Sequence, residues 1–285
     1  MLRLCYKGNF QKYVEVINVP SELYDKVKYQ LSPYIVEDDG ISDYKIIANK
    51  DSDNNYKTTD NILTINYSDD KYLLKTLRRS IRDALYIDYL KDGFVKMHAS
   101  SITDGEDSYI IIGNKRTGKT STALGFCKYH DFSLIDGDLT LIKNIDILGW
   151  STPIGTREKT TEILNIGSHG LSEMKWLWPE DYKKLGFSIG LSGRIKKVII
   201  NKYDFNKKNI EFRKVSPCEK KQIFLNNIHY DEIDKENYWN VDSTDIEKCK
   251  MNILSSELLN IDMIECTSNG LNKDNIDLLY KELKK

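Results

Sequence analysis

The chain has 285 residues, enough for one large domain or two smaller ones with a substantial core. Its 42 lysines and arginines nearly balance its 43 aspartates and glutamates, so we expect no nucleic-acid or membrane partner. No apolar run reaches the roughly 18 residues of a membrane span, and the first residues lack the apolar region of a signal peptide. The five cysteines are widely spaced and form no Cys-x-x-Cys pair. We therefore expect a cytoplasmic protein with reduced thiols, without a zinc site or a disulfide framework.

Residues 1–92 are predicted to form a smaller α+β region, whose role the sequence leaves unknown. Apolar periodicity and end signals predict strands and helices there. These elements are strands at Val14–Val19, Tyr44–Ala48 and Ile62–Tyr67, a helix at Ser21–Leu31 and a long helix opened by Ser68-Asp69-Asp70. The polar stretch Asn49–Asp60 is predicted to be an exposed loop. Asp92-Gly93 ends the long helix and is the predicted domain boundary.

Residues 93–285 are predicted to form one α/β domain. In its first strand Val95, Met97 and Ala99 alternate with Lys96, His98 and Ser100, which predicts one more polar face. The other predicted strands are Tyr109–Ile112, Phe132–Ile135, Leu139–Ile142, Arg194–Lys202 and Ile261–Cys266. The predicted helices are Ser121–Tyr129, one opened by the capping box Ser216-Pro217-Cys218-Glu219, one from Thr244 to about Leu259, and one capped by Asn272.

The motif with the most chemistry is Gly113-Asn114-Lys115-Arg116-Thr117-Gly118-Lys119-Thr120, which lies between an apolar strand and a helix-like segment. This is the Walker A pattern in the context that it requires. Its glycines let backbone N–H groups face a phosphate at a helix N-terminus. The pattern predicts ATP binding by Gly113, Asn114, Lys115, Arg116, Thr117, Gly118, Lys119, Thr120 and Ser121. Lys119 is expected to reach the β- and γ-phosphates, and the Thr120 hydroxyl to bind Mg²⁺.

Two acids, Asp136 and Asp138, flank Gly137 after the next apolar strand. They follow Lys119 by 17 and 19 residues, so this strand is predicted to lie beside the loop strand. Mg²⁺ held with a nucleotide usually needs a carboxylate at such a strand end. We predict that one acid binds Mg²⁺ and that the other accepts the proton of an acceptor hydroxyl. The alternative is a simple Asp-Gly turn between two strands.

From about Val95 to Arg157 the sequence resembles the HPr kinase/phosphorylase-like family. The resemblance is carried by His98-Ala99-Ser100, the Walker A segment and the strand that ends in acids. It implies a P-loop kinase core of the type shared with phosphoenolpyruvate carboxykinases, and serine in a carrier protein or small peptide as acceptor. It also implies a histidine near the active site, at His98, and two adjacent acids, which Gly137 separates here.

Two alignments of these acids leave the base open; we favour Asp138 as the Mg²⁺ ligand and Asp136 as the base. The family's later metal-linked acid has only Glu158 and Glu162 as stand-ins. For several other residues the side-chain chemistry allows two different roles. Arg157 is either a phosphate contact or a surface arginine. The tryptophans 150, 176 and 178 line a pocket or pack in the core. His130, His169 and His229 show no metal spacing.

The sequence therefore predicts an ATP- and Mg²⁺-dependent kinase that phosphorylates a hydroxyl, with serine of a peptide or small protein as acceptor. Its predicted catalytic residues are Asp136, Asp138, His98 and Lys119. Three alternatives stay open: a kinase of an amino acid or sugar, a nucleotide-binding regulator without transfer activity, and a carboxykinase-like decarboxylase. Whether the protein is a homo-oligomer is not determined by the sequence.

Overall fold

The structure is a computed structural model of the chain. It describes residues 2–6, 12–33, 35–150, 153–157, 160–161, 165, 175–228, 238–240, 248, 251, 257–270 and 272–285. The chain forms two compact units, Met1–Phe94 with Tyr230–Cys249, and Val95–His229 with Lys250–Lys285. Tyr238 and Trp239 thus belong to the first unit, although the sequence placed all residues after 92 in one domain. None of the helices in the described part of the chain has the length and apolar character needed to cross a bilayer.

The first unit is a sheet with two helices. Its elements are β1 Leu2–Tyr6, β2 Tyr13–Ile17, α1 Ser21–Leu31, β3 Ile35–Glu37, β4 Tyr44–Lys50, β5 Asn55–Thr59, β6 Ile62–Tyr67 and α2 Asp70–Lys91. The strand order is β3-β1-β2-β4-β6-β5, with β4 parallel to both β2 and β6. Both predicted helices are confirmed. Asp69 Oδ1 accepts the Tyr72 N–H at 2.8 Å and so starts α2, and Gly93, with φ of 94°, follows its end.

The predicted loop Asn49–Asp60 is wrong, because β5 occupies Asn55–Thr59. This strand pairs only with β6 in the strand order and lies at the sheet edge. Its side chains alternate between exposed and half-buried positions, so the strand carries no apolar pattern that the sequence could reveal.

The second unit is built around a larger mixed sheet. Its strands are β7 Val95–His98, β8 Ser100–Thr103, β9 Ser108–Ile112, β10 Ser133–Asp136, β11 Leu139–Lys143, β12 Asp146–Gly149, β13 Ile154–Thr156, β14 Lys175–Leu177, β15 Ser192–Tyr203, β16 Glu211–Lys214 and β17 Asp262–Ser268. Its helices are α3 Lys119–Tyr129, α4 Pro179–Lys184, α5 Pro217–Asn227 and α6 Lys273–Leu283, with a 3₁₀ turn at Glu257–Asn260. The sheet order is β10-β8-β9-β15-β12-β11-β7, β17 joins β15 and β16, and β13 pairs with β14.

The centre of this sheet is buried because β9 is wholly apolar after its first residues. Ile110, Ile111 and Ile112 are fully buried between β8 and β15. Helices α3 and α6 pack together, and Gly125 makes this possible: a Cβ there would lie 2.8 Å from Ile276 Cδ1. The parallel β9, β15 and β17 therefore form the support from which the loop at the end of β9 projects.

Two predictions about strand arrangement are wrong. The alternating segment from Val95 is two strands, β7 and β8, which pair with different neighbours. The acid-bearing β10 pairs with β8 rather than with the loop strand β9. The reason is the hairpin of β8 and β9, whose short turn places β8 against β9 and occupies that edge.

The predicted helix starts of the second unit are set by hydrogen bonds from nearby side chains. Glu219 accepts the Ser216 N–H at 3.0 Å, which confirms the capping box before α5. Asn272 Oδ1 accepts the Asn275 N–H at 2.9 Å and caps α6 as predicted. The predicted helix from Thr244 lies largely outside the described residues, and its last part, Glu257–Asn260, is a 3₁₀ turn.

Candidate functional site

The loop after β9 has the backbone shape that its glycines predict. Gly113 and Gly118 have φ values of 146° and 89°, and α3 begins directly afterwards at Lys119. A Cβ on Gly113 would lie 2.4 Å from the carbonyl oxygen of Asn201, so only glycine fits there. Arg116 also has a positive φ, of 72°, which the sequence did not indicate. The loop is therefore a tight bend with α3's first N–H groups at its mouth.

Asn201 anchors this bend and was missed by the sequence analysis. It is 2 % exposed and lies on β15, and its Nδ2 donates to Thr122 Oγ1. The Thr122 hydroxyl donates in turn to Gly118 O at 2.9 Å. Asn201 could have been found only from its position near the end of the strand that pairs in parallel with β9. Strand pairing cannot be deduced from a single sequence, so this position gave no usable indication.

Lys119 lies under the loop, where its side chain meets His98. The residue is 7 % exposed, and Nζ donates to Gly113 O at 2.9 Å and to Asn114 O at 3.4 Å. Nζ also lies 3.2 Å from His98 Nε2. Burial lowers the pKa of Lys119, and the charge of Asp138 partly opposes this shift. The ammonium is thus held against the backbone of the loop.

The contacts of His98 indicate which tautomer of the neutral ring fits the site. An ammonium has no acceptor, so Nε2 accepts from a charged Lys119 and the ring proton belongs on Nδ1. Nδ1 lies 3.4 Å from Asp138 Oδ1. The register of β7 and β11 pairs His98 with Leu139, the residue after Asp138, which explains the approach. Lys119, His98 and Asp138 form one chain of contacts, which we call the Lys–His–Asp chain.

The two acids have different surroundings. Asp136 is 2 % exposed, and its carboxylate accepts the backbone N–H groups of Asp138 at 3.1 Å, Leu139 at 3.3 Å and Trp150 at 2.7 Å. Its oxygens are therefore used in holding the turn and the start of the Trp150 segment. The Asp138 side chain is 47 % exposed and reaches the surface beside His98. Of these two acids, Asp138 is the one whose carboxylate is open to solvent.

Gly137 joins the acid turn to the loop helix. Its carbonyl accepts hydrogen bonds from the Ser100 hydroxyl at 2.6 Å and from the Thr120 hydroxyl at 3.2 Å. A Cβ on Gly137 would lie 2.2 Å from Ile154 Cγ1. Its φ is not positive, so the glycine is needed for space rather than for backbone conformation. Thr120 and Asp138 are brought close together through this one residue.

Tyr182 holds the β13–β14 pair over the turn. Its hydroxyl accepts the Ile154 N–H at 2.8 Å and donates to Leu177 O at 2.9 Å. Burial raises the pKa of Tyr182 well above its usual value, so the hydroxyl stays protonated. Ile154, fixed in this way, packs against Gly137.

The remaining predicted residues are spread more widely. Asn114, Lys115 and Arg116 are exposed at the loop tip, and Thr117 donates from its hydroxyl to Asn114 O at 2.9 Å. Ser121 is buried and Arg157 is exposed. Trp150 is buried in the core, whereas Trp176 is 50 % exposed on β14. His130 stacks on Tyr280 at the far end of α3. Glu158, Glu162, His169 and His229 lie outside the described residues.

The donor set fits Mg²⁺ carried by a nucleotide better than a metal held by protein alone. Among the described residues no group of three or more His, Cys, Asp or Glu is placed to hold a metal ion. Mg²⁺ bound with phosphates needs only one or two protein oxygens. The Thr120 hydroxyl and the Asp138 carboxylate are oxygens of that kind, next to the loop.

Comparisons with known proteins add little to this geometry. No protein-family model matches the chain, and no curated protein matches its sequence. Among solved structures it is similar to the Hpr(Ser) kinase/phosphatase from Coxiella burnetii, at 13 % identity and a TM-score of 0.32, over 66 % of this chain and 87 % of that one. At this TM-score the match supports no statement about the site, and membership of that family stays a prediction.

Proposed function

We propose that the chain is an ATP-dependent kinase that transfers the γ-phosphoryl group to a hydroxyl, with serine of a peptide or small protein as the acceptor. The observation that carries the proposal is the Lys–His–Asp chain at the mouth of the loop. It joins the loop lysine to the exposed carboxylate through contacts of 3.2 and 3.4 Å. A cation for phosphate and an acceptor for a proton therefore lie on opposite sides of one imidazole.

In the proposed reaction the acceptor oxygen forms a bond to the γ-phosphorus, and the bond from that phosphorus to the β–γ bridging oxygen breaks. The products are a phosphate ester and ADP, and the hydroxyl proton passes to the Asp138 carboxylate. The loop N–H groups and Lys119 bind and orient the phosphates, which is the main catalytic contribution in such transfers. Mg²⁺, when bound, would neutralise phosphate charge, with the Thr120 hydroxyl as its protein ligand and Asp138 left free to take the proton.

This assignment moves the proton-acceptor role from Asp136 to Asp138. Asp136 is buried, and both of its oxygens accept backbone hydrogen bonds. A carboxylate held in this way has no oxygen directed at a substrate, so we propose that Asp136 positions the turn. His98 has both ring nitrogens engaged and is proposed to orient Lys119 and Asp138.

The test compares Lys119→Ala with Lys128→Ala, an exposed lysine on the same helix. We expect Lys119→Ala to abolish transfer from γ-labelled ATP while the protein stays folded by circular dichroism, and Lys128→Ala to keep wild-type transfer. A folded Lys119→Ala protein with full activity would refute the proposal. The acceptors supplied are a serine-containing peptide library, free amino acids and sugars. Labelling only of the small molecules would reassign the acceptor, and ATP binding without transfer to any of them would favour a regulator.

A further inference from the structure

A cleft rich in lysine lies at the opposite end of the central strands from the loop. Strands β9, β15 and β17 are parallel, and the loop follows the end of β9. At the beginning of the same strands a cavity of about 500 Å³ is lined by residues that include Tyr109 and Asp262. Six lysines line it, and we call it the lysine cleft: Lys196, Lys197, Lys214, Lys220, Lys284 and Lys285.

Positive charge exceeds negative charge in this cleft. Its acids are Asp107, Asp262 and Glu282, so three carboxylates face six ammonium groups. Three of the lysines already have a carboxylate partner: Lys196 lies 3.7 Å from Asp107, Lys284 lies 2.7 Å from Asp104, and Lys285 lies 2.5 Å from Glu282. The other three, Lys197, Lys214 and Lys220, outnumber the one lining carboxylate that is left, that of Asp262. The surplus cations share a concave surface, which favours an anion within it.

Two of the lysines are buried with carbonyl partners only. Lys197 and Lys220 are each 8 % exposed. Lys197 Nζ donates to Leu283 O at 2.9 Å and to Glu282 O at 3.4 Å. Lys220 Nζ donates to Ile261 O at 2.6 Å and to Leu259 O at 3.2 Å. No carboxylate of the described residues pairs with either one. Each ammonium therefore keeps one N–H for another partner.

Capping of helix ends accounts for part of this arrangement. The carbonyls at Leu283 and Leu259 lie in the last turns of α6 and of the 3₁₀ turn, where cations are favoured. A helix end supplies only a partial negative charge, and a buried charge without a counter-charge is costly. Capping thus explains where the lysines point, but it leaves their charges largely uncompensated.

We propose that the lysine cleft binds a small oxyanion with several negative charges, a polyphosphate or a polycarboxylate. The volume is that of a small-molecule site, and the two buried ammonium groups with the exposed Lys214 supply its charge-assisted hydrogen bonds. The site is separate from the phosphate loop, so it does not depend on the kinase proposal.

The test is calorimetric titration of the full chain with tripolyphosphate and, separately, with citrate, at constant ionic strength. Lys214→Glu changes an exposed cleft residue, and Lys208→Glu makes the same charge change at an exposed lysine outside the cleft. We expect Lys214→Glu to weaken binding of at least one anion about tenfold or more, as loss of a charged hydrogen bond would. Lys208→Glu is expected to keep that affinity, and Lys119→Ala is expected to remove only the part of tripolyphosphate binding that belongs to the loop.

The outcomes distinguish binding in the lysine cleft from binding at the loop after β9. Tripolyphosphate binding alone would identify a phosphate ligand, and citrate binding alone a polycarboxylate. Binding that disappears with Lys119→Ala but persists in Lys214→Glu belongs to the loop and would overturn the proposal. Absence of binding by both anions at millimolar concentration would overturn it as well. Thermal melts of both glutamate variants check that each is folded.

Discussion

His98 Nε2 lies 3.2 Å from Lys119 Nζ, and this contact ties β7 to the first residue of α3. The same imidazole lies 3.4 Å from Asp138. The lysine, which binds phosphate in the proposed reaction, and the proton acceptor are therefore positioned by one ring rather than independently.

The role of the ring is tested by His98→Ala. Without it, Lys119 and Asp138 lose their common support, and misplacement of such groups costs up to about a hundredfold in rate. We expect kcat/KM for phosphoryl transfer to fall about tenfold to a hundredfold in steady-state assays. His130→Ala, which removes a histidine stacked on Tyr280 at the other end of α3, is expected to keep kcat/KM. Wild-type kcat/KM in His98→Ala would contradict the positioning role.

The titration of Lys119 depends on Asp138. Burial lowers the pKa of Lys119, and the negative charge of Asp138 raises it, so removing that charge leaves burial unopposed. We expect Asp138→Asn to move the Lys119 midpoint to lower pH. The ε-carbon signals of ¹³C-labelled lysine, assigned with Lys119→Arg, measure it. Asp146→Asn, at an exposed acid on β12, is the control and should leave it unchanged. A midpoint that stays or rises in Asp138→Asn would contradict this prediction.

Substitution of Asp136 should mainly affect stability, and substitution of Asp138 should mainly affect activity. Asp136→Asn places an amide against backbone N–H groups in the core, and an unsatisfied buried group costs about 1–3 kcal/mol. We expect it to lower the free energy of unfolding by about 2 kcal/mol in urea titrations. Asp138→Asn, at a half-exposed side chain, should change stability by less than about 0.5 kcal/mol but reduce transfer about a hundredfold. The reverse pattern would return the base role to Asp136.

The contact of Gly137 with Ile154 predicts that substitutions at these two positions have coupled effects on stability. A Cβ at 137 would lie 2.2 Å from Ile154 Cγ1, and overpacking of this kind costs about 1–3 kcal/mol. We expect Gly137→Ala to destabilise the protein by that amount. In the Ile154→Ala background the obstructing atom is gone, so the same change should cost about 1 kcal/mol less. Urea unfolding of the four proteins gives the coupling energy; additive effects would show that the turn relaxes instead.

Local chemistry made much of the fold predictable. The cap at Asn272, the capping box at Ser216 and the bend at Gly113 depend on residues within a few positions of each other, and all three occur as predicted. The strand β5 was missed because its sheet-edge position needs no apolar side chains. The neighbour of β10 was wrong because hairpin pairing, not chain distance, decides which strand lies beside β9.

The backbone bend of the loop was predictable from the sequence, whereas the surroundings of the acids were not. The Walker A spacing fixes Lys119 and Thr120 relative to the bend. The surroundings of Asp136 depend on Trp150, whose N–H reaches it from 14 residues further along the chain. The anchoring of the bend depends on Asn201, on a different strand. Such long-range partners are set by sheet pairing, which a single sequence does not encode in a readable form.

Strand β15 carries both Lys197, in the lysine cleft, and Asn201, beside the loop. They are four positions apart, so they share one face of the sheet, since side chains alternate along a strand. Inserting or deleting one residue between them would turn one of the two to the other face. Relatives of this chain that use both residues should therefore keep the spacing from 197 to 201 unchanged.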